Sequence, residues 1–362
     1  MGPVPGPWPL TPDPSYYVRM RDFRQIEWDG QLVDDCRQLI RLAVREDLDR
    51  EHDWTTVVLV PSGAVGRAHV VARRAGVACG LKAAALVLAE TDPHVTLSEH
   101  VGDGTTVAAG QRLATLAGPA RSLLTVERLV LNFIGRLSGV ATLAAQYVAA
   151  VVGSKARIYD TRKTTPGWRR LEKYAVRAGG GHNHRTGLFD AVLIKDNHLA
   201  VGKKLGQAPR ENVPGRESSV ANSEPVPFFP NSSAAGAASG EASFTPAEAV
   251  RRVRAFQANL PAGDPHRQML VEVEVESLDQ LAEVLPAGPD VVLLDNMSCD
   301  QLREAVALRN ARAPQIELEA SGGVNLSTLA AIAATGVERI SSGALTHSAV
   351  WLDVALDWET SG

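Results

Sequence analysis

The sequence is poor in cysteine and has no large excess of charge of either sign. Its three cysteines, Cys36, Cys79 and Cys299, are odd in number, widely spaced and in no metal-ligand pattern. Because such a set gives no disulfide framework, we expect small buried side chains in a reducing compartment. The 37 Lys and Arg residues are nearly balanced by 41 Asp and Glu residues. This balance argues against the basic surface of a nucleic-acid-binding protein.

Several familiar motifs are also missing. The chain contains no GxxxxGK[ST] and no GxGxxG after a strand, which disfavours P-loop and dinucleotide-binding sites. The first residues, MGPVPGPWPLTPDPSYY, have neither the basic region nor the apolar core of a signal peptide. No apolar run approaches the roughly 20 residues that a membrane-spanning helix needs. We therefore expect a soluble, cytoplasmic protein that acts without a membrane.

Two segments have the composition of unstructured chain. Residues 1–25 are rich in proline and predict a flexible arm. Residues from about 203 to 243 are rich in Pro, Ser, Gly, Asn and Ala and show no periodicity, so we predict a disordered insertion there. Between these segments, SLLTVERLVLNFIGRLSGVATLAAQYVAAVV repeats apolar residues at helical spacing and predicts one long amphipathic helix.

Beyond this helix, short apolar runs alternate with helical patterns. The runs are ARIYD, DAVLIKDN, MLVEVEVE, DVVLLDN, IELEAS and RISSG. Such alternation predicts repeated β–α units around a parallel sheet. In a barrel of such units, the chemistry lies at the C-terminal ends of the strands, and most of these runs end in a polar residue.

The segment DTRKTTPG, residues 160–167, follows the first of these runs. Thr165 and Pro166 are typical of the N-cap and first position of a helix, so we predict that a helix begins there. Arg162 and Lys163 then lie on a strand-to-helix loop at the mouth of the barrel. On placement alone, two solvated surface cations would give the same pattern.

Further cations follow on neighbouring loops. His184 and Arg185 come after a triple glycine, and Lys195 ends the next apolar run. Arg128, on the polar face of the long helix, adds a fourth candidate. Guanidinium groups match carboxylates and phosphates geometrically, so this set predicts a ligand with more than one anionic group.

Carboxylates are concentrated on two later runs. In MLVEVEVE the residues Glu272, Glu274 and Glu276 share one face of a strand, and Asp295 ends the following run. A pair of carboxylates at the mouth could hold Mg²⁺ together with sugar hydroxyls. For Glu272 and Glu276, an edge strand with solvated side chains is the alternative.

Two glycine clusters end the pattern. SGGVN (321–325) and SSGALTH (341–347) follow the last two runs, where barrels of this kind bind phosphate through backbone N–H groups. Each cluster alone could be an ordinary turn. Two other chemistries stay open: a metal hydrolase using His182 and His184, and a Schiff-base aldolase using Lys195 or Lys163.

The segment YDTRKTTPGWRRLEKYAVRAGGGHNHRTGLFDAVLIKDNH resembles the signature core of the quinolinate phosphoribosyltransferase family. The similarity continues through ERLVLNFIGRLSGVAT, VEVEV, LLDNM, EASGGV and SSGALTHS. It covers about residues 30–202 and 245–358. The resemblance implies an α/β protein: an N-terminal α/β sandwich domain (26–140) and an open, incomplete α/β barrel (141–346). The C-terminal tail, 347–362, is then expected to pack back on the first domain, and the protein to form a homodimer or higher homo-oligomer.

The reaction implied by the resemblance joins quinolinate to 5-phosphoribosyl 1-diphosphate with Mg²⁺. Its products are nicotinate mononucleotide, pyrophosphate and CO₂, in the biosynthesis of NAD. The residues that match those holding the quinolinate carboxylates are Arg162, His184, Arg185, Lys195 and, from the neighbouring subunit, Arg128. Those matching the phosphoribosyl-donor site are Lys163, Glu274, Asp295, Ser321, Gly322, Gly343 and His347. Lys163, Glu274 and Asp295 are the implied catalytic residues, and the last two would also hold Mg²⁺, directly or through water.

Two related functions compete with this reading. Phosphoribosyl transfer to nicotinate is one, although a single carboxylate should need fewer cations. A repurposed homologue, such as those found beside metal-transport genes, is the other. The presence of Lys163, Glu274 and Asp295 argues against it.

Overall fold

The computed structural model describes residues 22–202 and 244–359. The N-terminal half of this range contains three helices and five strands. The helices are α1 (Gly30–Leu48), α2 (Trp54–Leu59) and α3 (Leu81–Thr91). The strands are β1 (Val65–Ala72), β2 (Gly76–Val77), β3 (Thr96–Glu99), β4 (Thr106–Val107) and β5 (Arg112–Pro119). β5 pairs antiparallel with both β1 and β3, and β2 pairs with β4.

Helix α4 (Ala120–Ala150) connects the two halves, as the helical spacing predicted. Gly139 on this helix permits a close approach of the chain, because a Cβ there would lie 2.2 Å from the Val350 carbonyl oxygen. By length and composition alone α4 could cross a membrane, but 67% of its apolar window is buried inside the fold. It is therefore the central core helix of the protein.

The second half is built around a six-stranded parallel sheet. Its strands are β6 (Arg157–Tyr159), β7 (Val192–Ile194), β8 (Val271–Val275), β9 (Val291–Asp295), β10 (Glu317–Ser321) and β11 (Arg339–Ser341). Their spatial order is β6-β11-β10-β9-β8-β7. Among the described residues β6 and β7 do not pair with each other, so the barrel is open, and the predicted α/β class is confirmed.

The helices of the barrel alternate with these strands. They are α5 (Arg169–Ala178), α6 (Asp196–Gly202), α7 (Pro246–Asn259), α8 (Leu278–Val284), α9 (Cys299–Arg312), α10 (Leu329–Ala333) and α11 (Ala344–His347). The last strand, β12 (Val354–Trp358), returns to the N-terminal half and pairs antiparallel with β1. The last described strand thus lies in the same sheet as the first described strand, β1.

Strand β8 shows how the sequence determines the interior of the barrel. Its valines lie in the main hydrophobic core, whereas Glu272 is completely buried on the opposite face. β8 pairs with β7 and with β9, so the edge-strand alternative is wrong. Only Glu276, just beyond the strand, is exposed as that alternative required.

Two predicted boundaries differ from the structure. The helix expected at Thr165 begins at Arg169, with Trp168 as its N-cap. Gly167 has φ +83°, which interrupts a helix, and the Thr165 hydroxyl donates to the Glu172 carboxylate instead of capping. The predicted arm and insertion lie mostly outside the described residues, but Phe23, expected in the flexible arm, is buried against the barrel.

Candidate active site

A cavity of about 650 Å³ opens at the C-terminal ends of the barrel strands. Most of the predicted site residues line it: Arg162, Lys163, His184, Arg185, Lys195, Glu274, Asp295, Ser321 and Gly322. Adjacent parallel strands present their carboxyl ends at one edge, so loops that are distant in sequence meet there. Cationic side chains form part of the cavity wall, and carboxyl groups from β8, β9 and β10 form another part.

The loop after β6 is anchored from both sides. Asp160 is fully buried; it accepts a hydrogen bond from the backbone N–H of His184 at 2.9 Å and forms an ion pair with Lys173. Glu172 accepts hydrogen bonds from the Thr165 backbone and hydroxyl, at 3.1 and 2.8 Å. These anchors fix the loop between them, and this places Arg162 and Lys163 in the cavity wall.

Two arginine side chains in the cavity have donors without protein acceptors. The Nε atoms of Arg162 and Arg185 are buried, and neither has a hydrogen-bond partner among the described residues. Burial and the nearby Arg162 charge lower the pKa of Arg185. A buried donor that lacks an acceptor costs free energy, so an anionic ligand in this cavity would relieve both the lost hydrogen bonds and the repulsion.

His184 is held in one orientation by its neighbours. Its Nδ1 accepts a hydrogen bond from the Arg185 backbone N–H at 2.8 Å, so its proton is on Nε2. Nε2 lies 2.9 Å from Oε2 of Glu272. Burial lowers the pKa of His184 to about 4, which makes the imidazole neutral near pH 7. His184 therefore brings shape and no charge to the cavity wall, because its N–H group is directed at Glu272.

Two glutamates lie beneath the mouth of the cavity. Burial raises the pKa of Glu272 and of Glu319 to about 7, and for Glu319 the neighbouring Glu272 charge adds to the rise. Ligand atoms of His184, Glu272 and Glu319 lie within 4.8 Å of one another. Arg339 and Arg185 act in the opposite direction on the pKa of Glu272. Protein cations and bound protons therefore compensate this buried group.

The mouth itself carries the remaining carboxylates. Lys195 Nζ forms an ion pair with Glu274, and Asp295 accepts a hydrogen bond from the Asn296 side chain at 2.8 Å. Gly322 has φ +88°, and a Cβ there would lie 2.1 Å from Oδ1 of Asn296. Only glycine fits this position, and the backbone can therefore approach a ligand closely.

Three predicted residues do not line the cavity. Gly343 and His347 are close to it, because a Cβ on Gly343 would lie 2.9 Å from Cδ of Lys163 and 3.1 Å from the His347 ring. Arg128 is exposed on α4 and is not among the lining residues.

Two domains of one known protein family match most of the chain. The model of the quinolinate phosphoribosyl transferase C-terminal domain matches residues 140–217 and 246–357, and that of its N-terminal domain matches residues 53–138. The chain belongs to the quinolinate phosphoribosyl transferase family.

Individual members of this family are similar over nearly their whole length. A nicotinate-nucleotide pyrophosphorylase [carboxylating] of Mycobacterium leprae is 41% identical over 90% of this chain and 97% of its own. A quinolinate phosphoribosyltransferase [decarboxylating] of Nicotiana tabacum is 34% identical, covering 90% and 83%. The solved nicotinate-nucleotide pyrophosphorylase of Francisella tularensis has a TM-score of 0.74 at 31% identity, covering 93% of this chain and all of its own.

The cavity of this quinolinate phosphoribosyl transferase family member also contains residues that sequence reasoning missed. They are Thr161, Leu193, Leu293, Asn296, Glu319, Gly323 and Ser341. Glu319 could have been predicted from the alternation of residues along a strand, since Glu317 and Glu319 share one face of IELEAS, as the glutamates of β8 share one face of that strand. No local signal marks Leu193 or Leu293, whose importance comes from where the strands meet.

Proposed function

We propose that this chain transfers the phosphoribosyl group of 5-phosphoribosyl 1-diphosphate to quinolinate. The products are nicotinate mononucleotide, pyrophosphate and CO₂, in NAD biosynthesis. The observation that carries the proposal is the pair of buried guanidinium donors, on Arg162 and Arg185, without protein acceptors in a cavity that also holds carboxylates. The names of the M. leprae and tobacco relatives, which describe the same reaction in its two directions, support it.

Quinolinate is assigned to the cationic wall. Arg162, Arg185 and Lys195 supply the charge for two carboxylates, and the neutral His184 supplies a shaped surface. Two anchored carboxylates fix the plane of the pyridine ring. The ring nitrogen is then aimed at the sugar carbon that it attacks, which reduces the entropic cost of the bimolecular step.

The phosphoribosyl donor is assigned to the opposite side of the mouth. Lys163 lies there beside Gly343 and His347, and Ser321 and Gly322 line the same cavity. Glycine backbone N–H groups and a lysine are suited to phosphate oxygens, which carry the leaving charge of pyrophosphate.

Mg²⁺ suits the donor set formed by Glu274 and Asp295, because Asp295 ends β9, Glu274 lies one residue before the end of the neighbouring β8, and both line the cavity. When bound there with the donor's oxygens, the ion would offset the charge of the diphosphate. The same carboxylates lie where positive charge develops on the ribose carbon as pyrophosphate leaves.

Decarboxylation then needs no covalent nucleophile from the protein. Once ribosylated, the ring nitrogen is cationic and stabilises by its charge the electron pair that CO₂ leaves on the adjacent carbon, and a proton from water then forms the C–H bond of the product. Lys195, one of the two lysines that the aldolase alternative could use together with Lys163, forms an ion pair with Glu274. His182 and His184 do not converge on one metal: His182 lies beside Tyr159, and His184 stacks on Phe23.

We also propose a homodimer or higher homo-oligomer in which Arg128 enters the neighbouring subunit's cavity. Arg128 is exposed on α4 and does not line the cavity of its own chain. Exposed apolar side chains lie on α2, which packs against α4: Val58 is 75% and Leu59 is 73% exposed. An apolar surface of this kind is typical of a subunit interface. The cytoplasm is the compartment we assign, as the reduced cysteines favour it.

The deciding experiment incubates purified protein with the donor, Mg²⁺ and either quinolinate or nicotinate. Release of CO₂ and formation of nicotinate mononucleotide from quinolinate are the expected results. Faster product formation from nicotinate, without CO₂, would favour the single-carboxylate reaction instead. Product from neither substrate would contradict the proposed function.

A further inference from the structure

Residues 22–26, which we call the N-terminal strap, lie across the barrel at the end opposite the cavity mouth. The Asp22 carboxylate accepts hydrogen bonds from Arg157 at 3.0 Å, from Arg339 at 3.1 Å and from the Tyr159 hydroxyl at 2.9 Å. Arg157 begins β6 and Arg339 begins β11, so these contacts are at the amino ends of the strands. The strap therefore covers the bottom of the barrel, although its composition predicted a mobile arm.

The strap also reaches the segment that carries the cationic wall. The Gln25 side chain donates to the Asn183 carbonyl at 3.1 Å and accepts from the Asn183 backbone N–H at 2.8 Å. The Ile26 N–H donates to the Asn183 side chain at 2.8 Å. Asn183 is fully buried, and its amide also donates to Asp160 at 2.7 Å. The strap is thus hydrogen-bonded to the residue directly before His184.

Phe23 extends this contact to His184 itself. The two rings are stacked, with centroids 4.1 Å apart and planes at 28°, and Phe23 is only 5% exposed. The two nitrogen atoms at the edge of the His184 ring are held by the Arg185 N–H and by Glu272. Removal of Phe23 would leave space under the imidazole, and His184 and Arg185 could then shift from the cavity wall.

We infer that the N-terminal strap is a positioning element for quinolinate recognition, with Phe23 supporting His184 from beneath and Gln25 fixing the chain that leads to Arg185. The inference rests on the proposed function, because it takes this wall as the quinolinate site. The inference distinguishes the two substrates. The strap contacts the loop of His184, and within the described residues it forms no hydrogen bond, ion pair or ring contact with Lys163, Gly343 or His347. Loss of the strap contacts should therefore weaken quinolinate binding and leave donor binding unchanged.

The test measures binding of quinolinate alone and of the donor alone to the full-length chain by calorimetry. Phe23→Leu keeps an apolar side chain but loses the ring stack, and Gln25→Ala removes both bonds to Asn183. For each variant we expect roughly tenfold weaker quinolinate binding, in line with the loss of one aromatic pair or of hydrogen bonds in a buried site. Donor affinity should stay within about twofold. Arg24→Ala is the matched control, since Arg24 lies in the same strap but its side chain is 60% exposed and, within residues 22–202 and 244–359, forms an ion pair with Asp29 alone.

The outcomes distinguish the strap from the proposed function. Wild-type protein that does not bind quinolinate would contradict the proposed function itself. Wild-type binding with unchanged affinity in Phe23→Leu and Gln25→Ala would overturn the role of the strap. Equal losses for quinolinate and donor would do the same, because they would indicate a general loss of structure. Thermal unfolding of every variant checks that it is folded, and Gln25→Ala decides the question if Phe23→Leu is not.

Discussion

At the scale of single residues, the most unusual feature is the pair of buried carboxyl groups behind the substrate cavity. Glu272 and Glu319 are completely buried, and burial raises the pKa of each to about 7. A carboxyl group with a pKa of about 7 is partly protonated at neutral pH, and in its protonated form it donates a hydrogen bond and carries no charge. These residues therefore separate the charged mouth from the charged lower layer of Asp22, Arg157 and Arg339 without adding two full negative charges.

Glu319 predicts a dependence of stability on pH. Its pKa is raised in the folded state, so its contribution to stability is fully present below 4.5 and is lost as the pH rises towards about 7. The glutamine side chain in Glu319→Gln cannot ionise, so the variant does not lose this stability as the pH rises. From pH 5 to pH 8, the free energy of unfolding of the variant should rise relative to wild type by up to roughly 3 kcal/mol. Denaturant unfolding at both pH values measures it.

The matched control for this prediction is Glu276→Gln, a substitution of an exposed glutamate just beyond the same sheet. It should show the same difference from wild type at both pH values. The depressed pKa of His184 works in the opposite direction, because stability is lost as pH falls from 6.5 towards 4. His184 is present in all three proteins, so its effect largely cancels in the comparison. A constant offset for Glu319→Gln would contradict the assigned pKa.

At the scale of secondary-structure elements, the loop between β6 and α5 serves both substrates. Arg162 and Lys163 are neighbours in sequence, yet the first lies with the cations assigned to quinolinate and the second lies beside Gly343 and His347. The loop can hold them apart because Asp160 and Glu172 anchor its two ends.

This division predicts that substitutions of these two adjacent residues weaken the binding of different ligands. Arg162→Ala should weaken quinolinate binding by about 10- to 100-fold, the usual value of one or two hydrogen bonds to a charged group. Lys163→Ala should weaken donor binding by a similar factor. Each variant is the control for the other, since both lie in one loop with the same anchors. Calorimetry with single ligands measures both constants, and a loss shared equally by the two ligands would argue against separate roles.

Local sequence patterns predicted some elements well and others poorly. The helical repeat gave α4, and the apolar runs gave the parallel strands, because burial on one or both faces leaves a periodic signature. The start of α5 was placed too early, since Thr165 forms its hydrogen bonds with Glu172 of the same helix and not as an N-cap. Phe23 was assigned to a mobile arm because its partners, His184 and Tyr159, are more than a hundred residues away.

The residues of the candidate site could also be predicted only in part from local sequence patterns. Charged residues at strand ends were recognisable, because parallel strands bring their carboxyl ends to one edge. The depth of each side chain was not, and this decides that Glu272 is buried while Glu276 is exposed. Depth depends on the curvature of the whole sheet, which no short stretch of sequence encodes.

At the scale of the whole molecule, the placement of Arg128 has consequences for assembly. By the family resemblance, Arg128 matches an arginine that reaches into a neighbouring subunit. In this chain it is exposed on α4 and does not line the cavity of its own chain. If it completes the quinolinate site of a partner, a cavity needs residues from two chains. Arg128 and Lys163 then act in one cavity but come from different subunits.

Subunit mixing tests this arrangement. Arg128→Ala and Lys163→Ala should each be nearly inactive as pure oligomers, because every cavity lacks one residue. In a mixed dimer, one cavity receives both defects and the other receives neither. Random mixing makes half of the dimers mixed, so about a quarter of wild-type activity should return if Arg128 acts across the interface. Co-expressed and separately purified proteins are compared by CO₂ release. If Arg128 acted within its own chain, each cavity would keep one defect and mixing would restore nothing.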